Sequence, residues 1–106
     1  MDLSSFIAAG FTGTLQGRRV GDLICLSGNI TATTGTIATA TQVQIAAALS
    51  AAWIPGAAGA VGSAYFSAPN ADPGIVRVAS SGNINAIQSS GVSKGTCIFS
   101  VTYPAA

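Results

Sequence analysis

Thr96-Cys97-Ile98-Phe99-Ser100-Val101-Thr102-Tyr103 alternates without a break: Cys97, Phe99, Val101 and Tyr103 fall on one side, Ile98, Ser100 and Thr102 on the other. Period-2 alternation with bulky apolar residues on a single side is the pattern of a strand that lays one face on a core. The same pattern recurs upstream. Ile75 to Ala79 sets Val76 and Val78 against Arg77, and Ser80-Ser81-Gly82 turns that run into Asn83 to Gln88, the spacing of a hairpin. Val61 to Ser67 reads as a strand carrying Tyr65 and Phe66, and Pro69 to Gly74 is a dense turn signal.

Farther back, Val20 to Leu26 reads as a strand closed by Ser27-Gly28, and Asn29 to Ala32 continues it beyond a turn or bulge. Thr36 to Ala40 is a further short β-branched run. Gln42 to Leu49 places Val43, Ile45, Ala47 and Leu49 on one face; a short helix over Ile45 to Trp53 is the rival, because alanine is the best helix former. Pro55-Gly56 stops that run before it reaches a self-sustaining helical length, so a strand to Leu49 and then a loop is the expectation. Ser89 to Gly95 is a loop. Many short strands with Gly/Pro turns predict an all-β fold, an antiparallel β-sandwich or jelly-roll-like domain. Residues 1–17, rich in Gly, Ser and Thr around Phe6, Ile7 and Phe11, are expected to be an N-terminal segment packed onto a head domain of residues 18–106.

Composition narrows function. The chain has 106 residues, four basic and three acidic side chains, no histidine and a net charge of +1. Soluble domains usually carry about a quarter charged residues; here the figure is 7 %. General acid–base catalysis draws mostly on His, Glu, Asp and Lys, so a binding or structural role is favoured over an enzyme. A Ser-His-Asp triad is impossible without histidine. A carboxylate pair for glycoside cleavage would need Asp22 and Asp72, and Asp22 sits at a turn. No catalytic residue, metal site or cofactor is expected, and two cysteines without histidine do not make a zinc site.

The scattered basic residues do not form a phosphate-backbone footprint, so nucleic acid is not an expected partner. No apolar run is long enough for membrane insertion by a helix. Scarce charge combined with 49 % hydrophobic residues suggests that neutral surface is buried between copies of the chain. Cys25 and Cys97, with no CxxC spacing, are expected to be free thiols in the apolar interior, against the alternative of a disulfide between strands.

Several segments in order resemble the distal domains of phage tail proteins: minor tail proteins, baseplate receptor-binding proteins and tail-fibre tips. Arg19-Val20-Gly21-Asp22-Leu23-Ile24-Cys25-Leu26-Ser27-Gly28 is similar to the R-x-G-[DN]-[VL]-V-x-[VL]-S-G opening of that family. Ala48 to Pro55 stands where the family has an apolar segment ending in an L-P-x-G-[YW]-R-P turn, with Ser50 in place of proline and Ile54 in place of arginine. Val76 to Ile84 looks like the family's hairpin, and Ile98 to Tyr103 like its closing strand. The resemblance covers about Arg18 to Tyr103. It implies an antiparallel β-sandwich, a homotrimer and a place in the virion at the tip of a tail appendage; the partner expected there, from the side-chain chemistry below, is a host cell-wall or surface saccharide. A trimerisation or capping module that touches no receptor is the alternative.

Candidate ligand residues follow from side-chain chemistry. Trp53, beside Pro55-Gly56, offers a stacking face for a sugar ring, or else packs at a strand end or an interface. Tyr65 alternates with Phe66 and is expected to face outward. Asn70 and Asp72 supply hydrogen-bond acceptors for sugar hydroxyls, or else satisfy their own turn. Arg77 projects opposite Val76 and Val78, to meet an anionic polymer or to pair with Asp22 or Asp72.

Overall fold

In the computed structural model, residues 1–33, 42–47, 49–56, 59–67, 72–88 and 95–105 are described. The expected strand Thr36 to Ala40, most of the Ser89 to Gly95 loop, and Asn70 lie outside them. Seven strands form one antiparallel sheet: β1 (Phe11–Val20), β2 (Leu23–Ala32), β3 (Gln42–Ala46), β4 (Ala60–Ser67), β5 (Asp72–Val78), β6 (Ile84–Gln88) and β7 (Thr96–Pro104). Their spatial order is β1-β2-β7-β4-β5-β6-β3. The all-β antiparallel expectation holds, and the layers expected of a sandwich are parts of this single curled sheet.

Curling brings the two edges, β1 and β3, to opposite sides of the N-terminal segment, which joins both. On one side the Leu3 N–H donates to the Leu15 carbonyl at 2.7 Å and the Gly17 N–H to the Met1 carbonyl at 2.9 Å. On the other, the Ala8 N–H donates to Ile45 at 3.0 Å and the Ala47 N–H to Phe6 at 3.0 Å. Residues 1–8 therefore act as a strap that closes the sheet, and the Leu3 side chain, fully buried, pins it to the core.

Residues 11–17 are not a segment laid on the domain from outside. They are the first half of β1, which pairs with β2 along its whole length from Phe11↔Ala32 to Val20↔Leu23. Gly13, Thr14 and Gly17 hide the strand in sequence, because small and polar residues suit an edge that shows little to the core. A second correction concerns Ser27-Gly28, which does not close β2; the strand runs straight through it. Gly28 answers a packing need: a Cβ there would lie 2.5 Å from the Phe99 ring. Gly74 does the same for Phe66, at 2.2 Å, so β5 starts inside the stretch read as turn.

The core is the concave interior. Ile24, Leu26 and Ile30 of β2 meet Cys97, Phe99, Val101 and Tyr103 of β7, with Phe66, Val76, Val78 and Ile84 from the far half. The β7 alternation holds residue by residue: its inward set is buried, and Ile98, Ser100 and Thr102 are exposed. After β3, the chain forms a single 3-10 turn at Ala51–Trp53, neither the strand to Leu49 nor the longer helix. A register shift between Gln44 and Ala46 buries both Ile45 and Ala46.

If the strap is held by its buried anchor, Leu3→Ala should destabilise the domain by about 2–5 kcal/mol, the range for emptying a closed core site. Urea unfolding measures it. A loss below about 0.5 kcal/mol, the range of surface substitutions, would show that closure does not depend on Leu3.

Candidate functional site

Because the interior is filled, any ligand must meet the outer face or an end of the curled sheet. Trp53 sits at an end, and its ring is turned inward: the residue is only 8 % exposed. Its indole packs with Leu3 against Gly17, where a Cβ would lie 2.7 Å from the ring. The Tyr103 hydroxyl donates to the Trp53 carbonyl at 2.6 Å, and the Arg19 guanidinium donates to the Ala52 carbonyl at 3.0 Å and the Gly21 carbonyl at 3.2 Å. Trp53 is thus a plug locked over the core and shows no open stacking face to a sugar. Arg19, three residues before Asp22, thus spends its guanidinium on backbone carbonyls.

Tyr65 is placed as expected. It stands on the outer face of β4, about half exposed, between Ile98 of β7 and Pro73 of β5. Asp72 opens β5 opposite Phe66, next to the Tyr65–Pro73 pair, so its backbone lies at the Tyr65 end of the sheet. Asn70 lies outside the described residues. Arg77 is exposed at the other end of β5, opposite Val61 and Asn85. The structure therefore brings Tyr65 and the Asp72 backbone together and separates Arg77 and Trp53 from them.

Residues around Tyr65 that sequence reading passed over are Ile98, at 43 % exposure, and the small row beside it. Ser63 of β4 pairs with Ser100 of β7, Ser100 with Ser27 of β2, and Ser27 with Gln16 of β1. All four are exposed. Serine within a strand gives no signal by itself; only the register, absent from a linear sequence, lines these up.

The thiols divide between the two faces. Cys97 is buried, and desolvation pushes its pKa up to about 12. Cys25 is half-buried on the outer face, where the Thr102 hydroxyl points at its sulfur, 3.6 Å away. Both are free, as expected, but only Cys97 is interior. Burial raises the Tyr103 phenol to about 12 as well. No group of three or more metal-ligating side chains occurs among the described residues.

Both raised groups are neutral when protonated, so the folded state holds their protons longer than the unfolded chain does. Their contribution to stability is complete below about pH 9 and is lost progressively as the pH rises from the ordinary values, 9.0 for Cys97 and 10.0 for Tyr103, to about 12. The unfolding temperature should fall over that window, and Tyr103→Phe should flatten the part above pH 10. A melting temperature independent of alkaline pH would contradict the burial of these groups.

No protein-family model matches the chain, and no curated protein does. A solved structure does match in three dimensions: the crystal structure of the head domain of lactococcal phage bIL170, presented as a receptor-binding domain. The superposition has a TM-score of 0.72 and covers 94 % of this chain and 93 % of that one, at 22 % sequence identity. The curled seven-stranded sheet closed by its N-terminal strap has the fold of a lactococcal phage receptor-binding head domain.

Proposed function

We propose that this chain is the receptor-binding tip domain of a phage tail appendage, carried on the virion, and that it recognises a saccharide of the host cell wall or surface without catalysis. The observation that carries the reading is the near end-to-end likeness to the phage bIL170 head domain, over 94 % of the chain. The outer face adds chemical support. Tyr65 exposes an aromatic face beside Ile98 and Pro73, in a surround of serine hydroxyls. Stacking on an apolar face with hydrogen bonds around it suits a sugar ring, in line with binding sites that join apolar surface to a few placed polar groups. Asp72 and Asn70, by sequence close to that end, and Arg77 at the far end of β5, remain candidates for ligand contact.

A homotrimer belongs to the same reading. Val20, at 59 % exposure, and Leu23, at 45 %, face each other across the β1–β2 hairpin end, with Pro104 beside Leu23. Exposed apolar residues so grouped, on a chain with so little charge, suit contact with further copies. A purely structural capping module would use the same contacts and leave Tyr65 idle.

Binding separates these readings, and the assembled mass tests the trimer they share. Tyr65→Ala should weaken binding to purified cell-wall polysaccharide of the susceptible host by roughly tenfold, the loss of one anchor contact, while Tyr65→Phe, which keeps the ring, binds nearly as well. Equal binding by Tyr65→Ala and the parent would move the site elsewhere, and no binding by the parent would favour the capping module. Light scattering should give three chain masses for the assembled domain; a stable monomer would refute the trimer.

A further inference from the structure

We infer that the strap of residues 1–8 is an exchangeable element: it swings out on a hinge at residues 8–10 while the sheet stays folded, and the place it leaves is filled by the strap of a second copy of this chain.

The strap is held at few points. Leu3 is its one fully buried side chain; Phe6 and Ile7 are half-buried, and Asp2 and Ser5 are exposed. β7, by contrast, buries Cys97, Phe99, Val101 and Tyr103. The backbone bonds of the strap go to the two edges of the sheet, to Leu15 and Gly17 on β1 and to Ile45 and Ala47 at β3. Segments with few buried apolar contacts open locally at a lower free energy than the whole domain. The link to β1 is short and lies in solvent: Ala9 and Gly10 are exposed, and the Phe11 N–H closes the turn on the Ala8 carbonyl at 3.2 Å. Gly10 sits at a φ of +89°, so the turn is easy to form with glycine and easy to straighten, and straightening it leaves the core untouched.

The place beneath the strap selects its occupant. It is bounded by hydrogen-bonding groups on two sides: the Leu15 and Gly17 N–H groups and the Leu15 carbonyl on one, the Ala47 N–H and the Ile45 carbonyl on the other. Between them Leu3 lies with the Trp53 indole against Gly17. The strap matches both sides through the bridges Asp2↔Gln16 and Ile7↔Ala46, set apart by the 3-10 turn Ser4–Phe6, and the Ser4 hydroxyl accepts from the Leu15 N–H at 3.1 Å. An ordinary added strand pairs along one edge and leaves the other open. The strap of a second copy repeats every one of these contacts, so the closed and exchanged forms differ at the hinge alone. Wherever copies are held together, the high effective concentration of straps promotes the exchange.

Native-state hydrogen exchange reads the opening. The amides of Leu15, Gly17 and Ala47, whose acceptors are on the strap, should exchange together and at least about tenfold faster than the amides within β7. Exchange at the β7 rate would mean that the strap leaves only on global unfolding and would overturn the inference.

Transfer between copies is read by a covalent bond. Asp2 and Gln16 face each other as a non-hydrogen-bonded pair, a geometry with Cα atoms about 4.5 Å apart and so within reach of a disulfide. The chain carrying Asp2→Cys, Gln16→Cys and Cys25→Ser is prepared with and without isotope label. The two are mixed, incubated at high concentration in urea below the unfolding transition, returned to buffer and oxidised. Peptide mass mapping should find bonds that join a labelled to an unlabelled chain, fewer of them when the incubation is dilute. Bonds within one label only, in folded protein whose strap amides open, overturn the exchange. Gly10→Val in the same background penalises the positive φ of the closed turn and not an extended hinge, so the ratio of mixed to same-label bonds should rise about tenfold. An unchanged ratio overturns the hinge. The polysaccharide assay is independent of either result, so the receptor-binding reading stands or falls separately.

Discussion

Closure of the sheet is the constraint on which everything else depends. An open antiparallel sheet leaves a row of unpaired N–H and C=O groups on each edge, and such edges invite pairing with other chains. Here β1 and β3 are the edges, and the strap of residues 1–8 bonds to both: Leu3 and Gly17 on one side, Ala8 and Ala47 on the other. The strap also converts a curved sheet into an enclosed interior, because Leu3 and the plug at Trp53 cover the opening that curling leaves. A chain of 106 residues has limited apolar surface to bury, and enclosing one core from all sides makes the most of it.

Inside, large rings are seated against glycines. Phe99 lies on Gly28, Phe66 on Gly74, and the Trp53 indole on Gly17. Each pairing lets an aromatic ring lie against backbone at a place where a Cβ would not fit. Overfilling a tightly packed interior typically costs about 1–3 kcal/mol, so these glycines are as specific to the fold as the rings they receive. The end near Trp53 is further tied by the Tyr103 hydroxyl.

What the sequence disclosed and what it concealed divide along physical lines. β7 and β5 were legible because each buries one face, which writes alternation into the chain. β1 was not, since it lies at an edge and its inward residues include Gly17, which contributes no bulk of its own. Gly28 was misread as a turn because glycine marks both a break and a seat for a ring, and only the partner across the sheet tells them apart. Trp53 had been weighed as a sugar platform or a packed residue, and burial favours the second. The outward orientation of Tyr65 followed from alternation with Phe66. The serine row could not be read at all: it exists only once four strands are brought into register.

The two faces of this sheet answer to different demands. Inward residues are held by close packing, where a change of one methylene is felt. Outward residues such as Ser27, Ser63, Tyr65 and Ser100 contribute little to the interior, and exposed substitutions of this kind usually alter stability by only about 0.5 kcal/mol in either direction. The outer face can therefore be rewritten one residue at a time while the scaffold endures. A lineage carrying this domain can vary that face by mutation without first having to survive a loss of folding.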